Sequence, residues 1–448
     1  MSRVMFLTRL FHCKVLRRAS LLLLGGAFAW AVGAAEPDID RRLRLLEQQN
    51  QALQQRLQQQ QNVIDDLSKK LSSLDSKAER ATPPEEPAKK ESILGQVRIS
   101  GEGGVGFFHS SENGAYRNSE FRVDEAKLFV ESPLWKNYVY TFVELDLVTR
   151  ERQRSPEDSS FHLGEAYVDF EGFSRLWNRP GMLGIRVGRM DIPFGEEYIS
   201  RYVIDNPLIS HSLTDLWGKD EGIEFYGGVG PFDYVFAVQN GGHPALSDFN
   251  RDKSMAGRVG WKPVQWLRVS GSAMRTGDLD AANDSLSELW FGNGFLRATG
   301  PGATIFHGDA FEGDVQASWK TGQLKIAGGL IKYGDNAPVA SGSSRDIYYY
   351  YVEALQRVPG FEKLYGAARF SQIFADRGVP IVGSGDFGAY LFNPATATDR
   401  IWRMSVGGGY HFSEHLTAKL EYTLERRHEV ASDSENTHVF SAEVGFAF

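Results

Sequence analysis

The chain has almost no cysteine. One residue of 448, Cys13, carries a thiol, and it stands ahead of the first apolar run. No disulfide framework or thiolate chemistry is therefore available to the body of the protein. Nor can Cys13 be a lipidated anchor, because the apolar core of the leader follows it. Long apolar runs are also missing. Beyond residue 32 nothing approaches the ~20 consecutive apolar residues of a membrane helix, and the mean hydropathy is −0.33. These absences argue against a helical membrane protein. They do not bear on strands, which need apolar residues only at alternate positions.

Catalytic and metal motifs are scarce too. His411 and His415 are four apart but flank a predicted turn, so no helix aligns them. The stretch Asp278–Asp284 lacks the glycine and distal glutamate of an EF-hand. No Gly-x-Ser-x-Gly elbow or phosphate loop stands in a persuasive setting. No catalytic residue, metal, cofactor or nucleic-acid partner is expected.

What is present begins with a leader. Arg3, Arg9, Lys14, Arg17 and Arg18 precede an apolar stretch from Leu21 to Val32, and small residues follow at Gly33, Ala34 and Ala35. This reads as a signal peptide over 1–35, cleaved after Ala34 or Ala35; the rival is an uncleaved anchor, for which the run is short. Residues 36–80 then read as a coiled coil. Leu43, Asn50, Leu57, Ile64 and Leu71 take the a positions, and Leu46, Leu53, Gln60, Leu67 and Leu74 the d positions. A register that strict is not expected of a disordered glutamine-rich tract. Prolines and charges over 81–93 forbid helix and mark a linker.

From residue 94 to 448 the period changes to two. Val139, Thr141, Val143 and Leu145 alternate with Tyr140, Phe142, Glu144 and Asp146, and Trp402, Met404 and Val406 oppose Arg403 and Ser405. Short turns fall at 133–137, 171–182, 227–233, 262–265, 321–323, 356–363 and 412–415. Long polar stretches fall near 110–119, 150–160, 193–220, 240–254, 276–310, 334–345, 375–398 and 426–436. Seven turns and eight loops separate sixteen strands, with both chain ends on the short-turn side. The fold class expected is all-β: a 16-stranded antiparallel transmembrane β-barrel preceded by the helical coil. A soluble sandwich would explain the alternation but not the short/long rhythm together with the leader.

The last strand, Phe440 to Phe448, places Phe440, Ala442, Val444, Phe446 and Phe448 on one face. It resembles the C-terminal recognition strand of bacterial outer-membrane barrels, which implies that Phe448 is read by the barrel-assembly machinery. Three stretches resemble the phosphate-selective porin O/P family: Leu163–Phe170; Ile185–Glu197, with its Pro193-Phe194-Gly195; and Trp217–Gly222. The resemblance implies a homotrimeric, sixteen-stranded porin of the outer membrane, in contact with its lipid, whose third long loop narrows the channel. Small inorganic or organic anions, phosphate foremost, would be the permeating solutes. The coil would lie in the periplasm, where it could contact peptidoglycan.

Alternation assigns a pore-lining set: Arg98, Lys127, Arg186, Arg258, Lys262, Arg268, Lys320, Lys325, Arg403 and Lys419, with Glu125, Glu144 and Glu165. The constriction loop 193–220 offers Glu196, Glu197, Arg201, Asp205, Asp215 and Lys219. Glu196 and Glu197 have two open readings: they face the permeating solute, or they tie the loop to the wall. Over 94–448 there are 34 Lys and Arg against 46 Asp and Glu, a formal charge of −12, so a general or cation-preferring porin stands as the alternative. A barrel that serves mainly to anchor an envelope-tethering coil is a further one.

Overall fold

The computed structural model describes residues 97–448 except 113, 115, 136–137, 149–161, 217, 242–250, 278, 281–304, 336–344, 380–397 and 430–434. The leader, the coil and the linker expected over 1–93 lie outside the described residues.

The strands are β1 (Arg98–Ser110), β2 (Glu120–Trp135), β3 (Val139–Val148), β4 (His162–Asp169), β5 (Gly184–Asp191) and β6 (Lys219–Val229). There follow β7 (Phe232–Gln239), β8 (Ser254–Val264), β9 (Leu267–Arg275), β10 (Leu279–Asp280), β11 (Ile305–Trp319) and β12 (Gly322–Asp335). The last are β13 (Arg345–Val358), β14 (Phe361–Val379), β15 (Thr398–Ser413), β16 (Leu416–Glu429) and β17 (Glu435–Ala447). Each pairs antiparallel with its neighbour in sequence. The two-residue β10 pairs with β11, as β9 does, so it continues the same stave. Sixteen staves result, and β1 pairing with β17 closes the barrel.

The closing seam is built by glycine and phenylalanine. Phe448 exchanges backbone hydrogen bonds with Gly101 at 3.1 and 2.9 Å, and its ring covers the glycine. A Cβ on Gly101 would lie 2.8 Å from Phe448 Cζ, so only glycine lets the terminal ring lie flat against β1.

Period two sorts the side chains as expected. Outward on β17 stand Phe440, Val444 and Phe446, all exposed, while Ser441 and Glu443 are buried on the inner face. The barrel thus presents an apolar outer wall and a polar interior. Several strands extend beyond the sequence expectation: β14 reaches Val379, β16 reaches Glu429 and β11 begins at Ile305. Backbone ladders continue past the apolar band, where outward residues need no longer be apolar, so alternation ceases to report them.

Candidate functional site: a loop laid inside the barrel

The segment between β5 and β6, residues 192–218, folds into the lumen. Its entry is fixed by Gly195, whose φ is +72°. The backbone there favours glycine, and a Cβ would also displace the Glu312 carboxylate, whose Oε1 would lie 2.5 Å away. The Gly195 N–H donates to Ser272 Oγ at 3.0 Å, and Arg258 donates to the Gly195 carbonyl at 2.7 Å. A short 3-10 turn, Glu197–Ser200, follows. The loop then buries Val203, Leu208, Ile209 and Leu213. Leu208 packs on Tyr365 and Ala367 of β14, and Ile209 on Phe108 of β1 and Val439 of β17.

Irregular backbone inside a barrel leaves its N–H and C=O groups without ladder partners, so wall side chains must supply them. Glu421 accepts from the N–H groups of Ile209 and Ser210 and from Ser210 Oγ. Arg369 pairs with Glu353 and donates to Ser210 O at 2.6 Å and Asn206 Oδ1 at 2.9 Å. Arg403 pairs with Glu425 at 2.7 Å and donates to His211 O at 3.1 Å. Lys419 donates to Val203 O and Leu208 O, 3.7 Å from Glu443. Ser371 Oγ accepts from Leu213 N at 3.0 Å. These fastenings all sit on β13–β17.

Two of the residues singled out in sequence fall elsewhere than assigned. Lys320 lies in the turn between β11 and β12, exposed, not on a stave; the alternation was carried one residue past the strand end. Lys219 is the first residue of β6, not of the loop, and its ammonium reaches Glu144 at 2.7 Å. A buried charge at a strand start reads in sequence like loop polarity. Arg98 and Lys262 occupy the exposed short-turn rim.

The remaining residues meet inside. Lys127 lies 2.8 Å from Glu125 and 3.6 Å from Glu144. Arg186 bridges Asp169 at 2.7 Å and Glu224 at 3.0 Å. Glu165 accepts from Asp191 N at 2.9 Å. Glu196 ties the loop to the wall, accepting from Arg268 at 2.8 Å and lying 3.3 Å from Arg258. Glu197 instead closes the loop on itself through Ser212 N at 2.9 Å. Arg201 pairs with Asp215 at 2.7 Å, Asp205 is exposed, and Lys325 donates to Ser200 Oγ at 2.9 Å.

Opposite the fastened side a cavity of about 500 Å³ remains between the loop and β4–β8. Glu165, Tyr167, Arg186, Asp191, Tyr198, Tyr202, Glu224, Tyr226, Asp233 and Arg258 are among its walls. Burial pushes the Tyr198 phenol up to about 12, so it stays neutral and able to donate. Alternation could have found Arg369 and Glu353, which flank apolar outward residues; nothing local marks Tyr198 or Tyr202 as cavity walls.

No protein-family model and no curated protein sequence matches the chain. Solved structures do. The outer membrane channel DcaP of Acinetobacter baumannii aligns at 13% identity and TM-score 0.52, covering 79% of this chain and 97% of that one. OprB of Pseudomonas putida aligns at 11% and 0.51, over 81% and 96%. OmpT of Vibrio cholerae, in a trimer form, aligns at 10% and 0.50, over 79% and 99%. At such identities the likeness is one of fold. The chain is a closed, sixteen-stave antiparallel barrel of the porin type.

Proposed function

We propose that this protein is a porin of a Gram-negative outer membrane, a water-filled channel for passive diffusion of small hydrophilic solutes. The observation that carries the reading is the combination of an apolar outer wall with a loop pinned across a charged interior, leaving a cavity on one side. Such a geometry restricts which solutes pass. The trimer form of the Vibrio cholerae protein supports a homotrimer here, and the Gly101–Phe448 seam supports recognition of the C-terminus during barrel assembly.

Two readings of solute charge rest on different observations. The motifs around Pro193-Phe194-Gly195 support anions such as phosphate. The pairing of the lumenal cations supports the general or cation-preferring reading, which we favour. A phosphate path needs cations able to exchange partners with the solute. Lys127, Arg186, Arg258, Arg268, Lys325, Arg369, Arg403 and Lys419 each lie within ion-pair reach of a wall or loop carboxylate. Reversal potentials across a KCl gradient in planar bilayers decide the matter. A potassium preference is expected; a clear chloride preference would return the phosphate reading to first place, and absence of any conductance would end the porin reading.

A further inference from the structure

Charged side chains on the lipid-facing wall of a barrel are costly at its midplane and tolerated only toward the interfaces. Along the loop-side edge of that wall, over β9–β13, cations stand beside acids. Arg275 of β9 reaches Asp309 of β11 at 3.3 Å, and Lys332 of β12 lies directly across the ladders from Asp309 and Asp346. The edge over β15 and β16 is different. Arg400 and Arg426 are exposed there, on the outward parity of Trp402, Met404 and Val406 and of Leu420, Tyr422 and Leu424. Arg426 lies directly across from Trp402, and Arg400 from His428. The two arginines are thus diagonal neighbours, about 7–8 Å apart at their stems. Among the described residues neither has an ion-pair or hydrogen-bond partner. Asp399, the carboxylate beside them on β15, is taken: His428 Nδ1 lies 2.6 Å from its Oδ1.

We propose that Arg400 and Arg426 clamp the phosphate of a lipid headgroup in the outer leaflet. In a Gram-negative outer membrane that headgroup is the diphosphorylated disaccharide of lipid A. The inference goes beyond the channel and rests only on the barrel's place in that membrane. Long loops mark the outer side of such barrels. Arg426 is ten residues along β16 from Leu416 at the short-turn end, about 25 Å of height for a tilted strand and so the full apolar band. The pair therefore stands at headgroup level. Beneath it Met404, Leu420, Tyr422 and Phe440 are exposed and offer an apolar surface to acyl chains. Two guanidiniums this close repel each other, and lipid on one side weakens the screening. A phosphate between them removes that repulsion and can take paired N–H bonds from each planar fork.

The test titrates the full chain in detergent with fluorescently labelled diphosphoryl lipid A. The double variant Arg400→Gln, Arg426→Gln should raise the half-saturation concentration at least tenfold, and each single variant about threefold. The singles serve if the double does not fold. Arg275→Gln, at the same edge but beside Asp309, should change it less than twofold. The KCl conductance of the double variant should match the wild type, because both side chains lie outside the pore. Equal binding by wild type and double variant, or by wild type and both singles, overturns the site. So does displacement of the lipid by excess inorganic phosphate, which would make the pair an aqueous anion site. An oligomer that dissociates in the double variant while lipid A binding is unmoved assigns the patch to a second copy instead. A conducting wild-type channel that binds no lipid A overturns the site alone. A wild-type barrel that binds lipid A through this pair but carries no current ends the porin reading and leaves the site standing.

Discussion

On the β13–β17 side of the lumen, charged side chains from Glu353 to Glu443 are occupied with holding the loop. On the β2–β6 side the wall carries the stacked rings of Phe129, Phe142 and Tyr167 and a cavity instead. The barrel therefore fastens the body of the loop from β13–β17, with Arg258, Arg268 and Ser272 tying its entry, and leaves a passage along β4–β8. Both halves bury their carboxylates, Glu421 and Glu425 at 1% exposed each and Glu144 and Glu224 at 1% and 3%, but their cations differ: Arg403 is 2% exposed. On the other half Arg186 keeps 29% of its side chain accessible. Burial strengthens each ion pair but raises the cost of breaking it, so the two halves should respond unequally to the same kind of substitution.

The largest effect is expected where a buried pair also holds loop backbone. Arg369→Ala leaves Glu353 with Lys325 at 3.7 Å and removes the donor to Ser210 O and Asn206 Oδ1. Breaking a buried pair of this kind costs about 3–5 kcal/mol. Urea unfolding of the detergent-solubilised protein should show that loss, together with a several-fold rise in conductance as the loop loosens. An unchanged urea midpoint would show that the fastened half is no more rigid than the open one.

Next comes the loop's entry, where both halves meet. Gly195→Val forces a β-branched residue to φ +72° and drives its Cβ toward Glu312. Strain at such a position is about 1–3 kcal/mol, and re-aiming the loop should widen the distribution of single-channel conductances. A narrow, wild-type distribution would place the hinge elsewhere.

The sequence revealed the wall better than it revealed this asymmetry. Val143, Leu145 and Leu147 face outward because an apolar environment demands it at every second residue, and that demand is local. Closure and stave count followed from the turn rhythm. Which side the loop lies against was not readable, since Ser210 meets Arg369 and Glu421 only in space, across most of the barrel's staves. Phe129 was masked differently. The bulge at Gly104/Val105 places Asp124 out of register, so β2 changes parity and Glu125, Lys127 and Phe129 all turn inward. Its parity matches Lys127, yet a phenylalanine in a barrel strand reads as outward-facing. Lys219 and Lys320 failed at strand ends, where period two has no further residue to check it.

The smallest effect on stability, and the most informative one on function, should come from the open half. Glu224 lines the cavity and pairs with Arg186 at 3.0 Å, but Arg186 also holds Asp169 at 2.7 Å. Glu224→Gln therefore leaves the guanidinium with a carboxylate partner, and the amide oxygen can still accept its hydrogen bond. Glu224 is buried, so the amide also escapes the desolvation that the carboxylate bears, and the cost should stay within about 1 kcal/mol, against several for Arg369→Ala. Removing one negative charge beside the path should nonetheless move the KCl reversal potential toward anions. The comparison fails if the order inverts, with Glu224→Gln unfolding the barrel at lower urea than Arg369→Ala. It also fails if the reversal potential does not move, because the solute path would then run along some other part of the wall.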